Sequence, residues 1–125
     1  MKQSVFIPGQ LPGMNEIIRT AAGAGGSCTN YSKLKKALNL ELWAVIKQAR
    51  LVRPARAVRV AFHWREPNRR RDLDNIAAGK KFVLDALVDA NVLEDDGWLF
   101  VVGLADMFSV VDRKHVGVLV ELEEI

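Results

Sequence analysis

The residues best suited to chemistry in this chain are acidic. Asp72 and Asp74 stand two apart, directly behind the run Arg69–Arg70–Arg71, and Asp96 follows Glu94–Asp95. In an extended segment, residues two apart face the same side, so both carboxylates of the first pair can approach one ion. Mg²⁺ is a hard cation that takes oxygen ligands, usually a few carboxylates with substrate phosphate and water completing its shell. Mn²⁺ suits the same donors. The three arginines would meet a phosphate backbone beside that ion. The same aspartates also have a structural use, because acids in a first helical turn cap free N–H groups and complement the helix dipole. Asp95–Asp96–Gly97 is likewise an ordinary turn sequence. The arginine run abutting the acids is what favours metal and phosphate.

The elements that must position these residues follow from hydrophobic spacing. Gln3 to Ile7 is a short strand stopped by Pro8 and Gly9, and Pro8 to Asn30 reads as a long loop rich in glycine and proline. Its AGAGGS stretch lacks the lysine and the strand-to-helix context of a nucleotide cradle. From Tyr31 to Arg50, Leu34, Leu38, Leu42, Val45, Ile46 and Ala49 recur at helical spacing, with Asn30 or Ser32 as N-cap and Trp43 assigned to the core. Arg56 to Arg65 alternates as a strand, with Val58, Val60, Phe62 and Trp64 on one side and the basic Arg59, His63 and Arg65 on the other. His63, between two arginines, is read as a surface residue rather than a base.

A second helix runs from about Asp74 to Ala90, with Gly79 as a weak point or a place of close packing and Asn91 at the exit. Three strands are expected after the turn at Glu94–Gly97: Trp98 to Val102, Ala105 to Val111 and Val116 to Glu123. The last two would form a hairpin around Asp112–Arg113–Lys114. The expected fold class is α+β, a single domain over residues 1–125 with two main helices on a mostly antiparallel or mixed sheet.

Composition excludes several classes. Half the residues are hydrophobic and 26% are charged, which rules out disorder. Cys28 is the only cysteine, so no internal disulfide forms, and with only His63 and His115 as further ligands structural zinc is disfavoured. The opening MKQSVFIPGQ lacks the apolar core of a signal peptide, and no apolar run reaches membrane-spanning length, so a cytoplasmic protein without membrane association is expected. The net charge of +3 hides an asymmetry. Residues 1–71 hold 14 Lys and Arg against three acids, a balance of +11, whereas residues 72–125 hold four bases and 12 acids, a balance of −8. A basic half attracts a polyanion and clustered acids attract cations, unless the halves neutralise each other in the fold.

The stretch NRRRDLDN, followed by KKFVLDALVDANVLEDDGW, resembles the RusA family of Holliday junction resolvases. The likeness covers roughly residues 56 to 102, and more loosely the opening strand, the Pro8–Asn15 loop and the closing strands. It implies a homodimer that cuts branched DNA, such as a four-way junction, using Mg²⁺, three aspartates and a lysine per subunit. The first two aspartates fall on Asp72 and Asp74. The third, counted from Asp85, falls on Asp96, with Asp95 as its neighbour alternative. The family lysine lies four residues after the second aspartate, where this chain has Ala78. Counting back from Asp85 instead gives Lys81, with three residues inserted after Asn75. In a continuous helix those seven residues return to within about 20° of the same face, about 10.5 Å further along. Lys80 is the second choice, and an i,i+4 pair of Lys81 with Asp85 is the structural alternative.

The expected activity is Mg²⁺-dependent hydrolysis of a DNA phosphodiester in branched DNA, as in recombination and repair. Arg69, Arg70, Arg71 and the Lys33, Lys35, Lys36 cluster would track backbone phosphates. The rivals are a DNA-binding module that has lost cleavage, supported by the altered lysine spacing, and a metal-dependent nuclease for another nucleic acid. The dimer contact is expected on the closing strands near Met107, Phe108 and Val110.

Overall fold

A computed structural model of the chain describes the backbone of residues 1–21 and 28–125 and the side chains of 1–20 and 31–125. The AGAGGS stretch lies outside the described residues. The fold is α+β: an open four-stranded sheet covered on one face by helices. In chain order the elements are β1 (Lys2–Pro8), α1 (Met14–Ala21), α2 (Cys28–Gln48), β2 (Val58–Glu66), α3 (Leu73–Ala77), α4 (Lys80–Asp89), β3 (Val101–Val110) and β4 (Gly117–Glu124). The strands lie in the order β1-β4-β2-β3, with β4 antiparallel to both β1 and β2, and β3 parallel to β2.

Alternation places Val58, Val60, Phe62 and Trp64 of β2 against Val118, Val120 and Leu122 of β4, and Val5 and Ile7 of β1, on the buried face. Leu42 and Ile46 of α2 and Phe82, Val83, Ala86 and Leu87 of α4 close over them. These helical residues recur at three-to-four spacing, so one stripe of each helix is buried. The open face is polar and charge-paired: Arg59 with Glu123 at 3.3 Å, Lys2 with Glu121 at 3.2 Å, and His63 in contact with Glu121. On the basic side of β2, Arg59 and His63 therefore meet acids of β4, while Arg65 lies over the Phe6 ring, 5.5 Å from its centroid.

Several elements differ from the sequence reading. The segment after Pro8 is not all loop, because Met14, Ile17, Ile18 and Ala21 form α1, with Ile17 packed on the core. Helix α2 starts at Cys28, so Asn30 and Ser32 lie inside it rather than capping it. Trp43 is not core; it is exposed on the side of α2 away from Leu42 and Ile46. The stretches read as strands at 98–102 and 105–111 form one strand, β3, preceded by a turn in which the Phe100 and Val101 N–H groups donate to the Gly97 carbonyl. Nor do the closing strands make a hairpin. Strand β2 lies between β3 and β4, because it pairs with β4 on one edge and β3 on the other.

The helix expected from Asp74 to Ala90 is broken into α3 and α4 at Ala78–Gly79. A Cβ on Gly79 would lie 3.1 Å from Leu11 Cβ and 3.4 Å from the Trp64 ring, so a side chain there would press on Leu11. The glycine's φ of −65° is open to any residue.

Candidate active site

The loop before α3 is fixed by a buried ion pair. Glu66 ends β2 on the buried side of the sheet and is only 6% exposed. Arg71 Nη2 donates to Glu66 Oε2 at 2.9 Å and to Oε1 at 3.0 Å, and Arg71 Nε donates to Oε1 at 3.1 Å. Arg71 Nη1 donates to the Leu11 carbonyl at 2.9 Å, and Gln10 Nε2 donates to Glu66 Oε1 at 3.0 Å. A buried carboxylate needs such partners, since an unpaired charge there costs several kcal/mol. Asn75 adds a second tie: its Oδ1 accepts the Asn15 N–H at 2.9 Å and lies where a Cβ on Gly13 would sit. The N-terminal loop and the start of α3 thus hold each other in place.

Beside this framework a cleft of about 710 Å³ opens between the 66–76 segment and β3. Its lining includes Glu66, Arg69, Arg71, Asp72 and Asp106. Asp72 is exposed at the start of α3 and makes no side-chain cap. Asp106 was not among the residues singled out from sequence. Its Oδ2 accepts from Lys80 Nζ at 2.6 Å and its Oδ1 from Trp64 Nε1 at 2.8 Å, with both residues of the ion pair about one-quarter exposed. The signal was a single acid inside an apolar strand, in step with Leu104 and Phe108. It became legible only with β3 as one continuous strand in register with β2, Asp106 opposite Phe62.

The remaining expected site residues are dispersed. Asp74 is exposed, and its Oδ1 accepts the Asn75 N–H. Asp96 lines a different, shallower groove with Lys35, Lys81, Asp85, Asp89 and Asp95. Lys81 points away from the Asp72 cleft, with its Nζ 3.8 Å from Asp85 Oδ1, the i,i+4 pairing. The break at Gly79 restarts the helix at Lys80, and the inward stripe of Phe82, Val83, Ala86 and Leu87 leaves Lys81 outside. Lys80, the second choice from sequence, is the lysine that reaches the cleft's edge through Asp106.

Arg69 and Arg70 are exposed and form no ion pair among the described residues, whereas Arg71 is engaged by Glu66. Lys35 lies 3.7 Å from Asp85, and Lys33 and Lys36 are exposed on α2, a separate element from those that build the Asp72 cleft. Among the described residues, no three His, Cys, Asp or Glu side chains are close enough to hold a metal ion together. No described helix is long and apolar enough to cross a membrane.

The chain matches no protein-family model and no curated protein. The resemblance to RusA resolvases therefore rests on the residues of NRRRDLDN and KKFVLDALVDANVLEDDGW themselves.

Proposed function

We propose that this protein is a Mg²⁺-dependent endodeoxyribonuclease acting on branched DNA, with the Asp72–Asp106 cleft as its centre. The observation that carries this reading is one cleft combining an uncapped, exposed Asp72 with Asp106 and the open Arg69. Two carboxylates suit Mg²⁺ in the form in which substrate phosphate and water complete its shell; Asp72 is open to the ion, and Asp106 would join it by releasing Lys80 Nζ from its Oδ2. When bound, the metal lowers the pKa of a water and stabilises charge on the phosphoryl oxygens. Arg69 in the cleft lining and the exposed Arg70 beside it would bind backbone phosphates, which gives affinity with little sequence information. Lys80 places a cation at the edge of the cleft, where it can offset charge developing on phosphate. The Glu66–Arg71 pair orients the loop that carries Asp72.

Branched substrates fit a two-fold dimer, and β3 is the edge that supports one. It is ten residues long and, among the described residues, pairs only with β2. It exposes Val102, Leu104, Met107 and Val110, and its one charge, Asp106, is engaged in the cleft. Edges of monomeric sheets are normally blunted by lysine, proline or bulges; this one carries neither lysine nor proline, and its register with β2 shifts once, between Val101 and Gly103. A second copy pairing there uses the same patch on both subunits.

The test is cleavage of a labelled four-way junction, a linear duplex and a single strand, with Mg²⁺ and with chelator. Junction-selective cutting that needs Mg²⁺ is expected. Binding without any cutting would favour the binding module, and equal cutting of all three would remove the preference for branches.

A further inference from the structure

Helix α2 carries a stripe that its packing leaves unexplained. Leu38, Leu42, Val45 and Ile46 face inward, with Leu42 and Ile46 only 2% and 1% exposed. On the opposite face Lys33, Lys36, Leu40, Trp43 and Lys47 fall within an arc of about 80° and span about 21 Å. A solvent face normally carries charged and polar residues, yet here Leu40 is 68% exposed and Trp43 is 39% exposed. The Trp43 ring borders a groove of about 750 Å³ that runs toward the start of the helix, lined also by Lys36, Asn39, Leu40 and Asp89. Lys47 Nζ lies over the ring, 5.8 Å from its centroid. Asp89 brings one carboxylate to the groove, and it accepts from Asn39 Nδ2 at 2.8 Å.

A row reading cation, cation, apolar, aromatic, cation is complementary to a chain of phosphates carrying flat, unpaired bases. An aromatic ring on an exposed face offers stacking worth about tenfold or more in affinity per base, and stacking tolerates any base. A duplex hides its base faces and could use only the lysines. We propose that this stripe is a binding site for single-stranded nucleic acid, with Trp43 stacking on a base and Lys33, Lys36 and Lys47 meeting phosphates. The site lies on α2, apart from the cleft of Asp72 and Asp106, and does not rest on cleavage.

The test is run in chelator, so that loss of hydrolysis cannot affect it. Binding of thymidine and uridine 12-mers, a duplex and inorganic polyphosphate is compared for the wild type, Trp43→Leu, Trp43→Phe and Lys47→Gln. Trp43→Leu should weaken both 12-mers roughly tenfold and leave polyphosphate unchanged, while Trp43→Phe keeps most of the affinity. Lys47→Gln should lower the salt slope by about one phosphate contact. A loss confined to one 12-mer would support the site and show which of the two strands it prefers. The proposal falls if Trp43→Leu binds both 12-mers like the wild type, or loses polyphosphate equally. It also falls if that variant changes the sedimentation of the free protein, which would assign the stripe to a second copy of the chain.

Discussion

At the scale of single residues, the position of Asp106 divides two accounts of the acidic site. The resemblance selects Asp72, Asp74 and Asp96, whereas the cleft groups Asp72 with Asp106. Asp72→Asn should abolish cleavage while leaving DNA binding equal or tighter, since it removes a negative charge facing phosphate. If the cleft is the centre, Asp106→Asn should be as inactive as Asp72→Asn, with Asp96→Asn close to the wild type. The opposite ranking, read in the same junction assay, would return the site to the family's third position. The arginines divide in a similar way. Arg70→Ala should flatten the salt dependence of DNA binding by about one contact. Arg71→Ala should instead lower unfolding stability by about 3 kcal/mol, because it leaves Glu66 buried without its guanidinium. Denaturant titration and salt titration of the two variants separate these roles.

Among the elements, the break between α3 and α4 determines which lysine can serve the cleft. Gly79→Ala would ordinarily stabilise a helix, but its Cβ meets Leu11 Cβ at 3.1 Å, an atom fixed to the buried N-terminal loop. The expected result is a loss of about 1–3 kcal/mol by urea unfolding, and any gain would mean that the loop yields easily. The open face of the sheet makes a separate prediction. The Lys2 ammonium, followed by His63, holds the Glu121 carboxyl below its usual range by hydrogen bonding, against the opposing effect of burial. A carboxyl depressed in the folded state stabilises the protein above its unfolded pKa of about 4.3, and the contribution is lost as pH falls through the folded value. Lys2→Ala should therefore narrow the stability gap between pH 6 and pH 3. An unchanged gap would mean that Lys2 does not govern the Glu121 titration.

For the whole molecule, the apolar β3 edge and the single Asp72–Asp106 site on each chain lead to the same expectation. Sedimentation at micromolar concentration should give about twice the 13.9 kDa chain mass. Leu104→Lys, a change at a half-exposed edge position, should return the monomer while leaving the fold intact. A monomer that stays monomeric on a bound junction would count against two symmetric cuts and favour a nicking enzyme or a binding module. The charge asymmetry along the chain also has a fate at this scale. Lys2, Lys35 and Arg59 from the basic half meet Glu121, Asp85 and Glu123 from the acidic half, so part of the +11 is neutralised within the fold.

Local periodicity was enough to determine the α+β class, the inward faces of β2 and α4, the exit at Asn91 and the tight place at Gly79. Each depends on a residue's own spacing or backbone preference. Asn91, with φ of +62°, needs no distant partner to end a helix. Tertiary structure decided what depends on partners far along the chain. Glu66 reaches the buried face beside Arg71 only through the alternation and pairing of β2, and Trp43, expected in the core, is exposed because the opposite stripe of α2 packs inward. Asp106 and Lys80, 26 residues apart, meet only because the chain crosses from β2 through α3 and α4 to lay β3 parallel beside β2. Spacing along the sequence reports the face of one element, and which faces meet is fixed by the packing of the whole sheet.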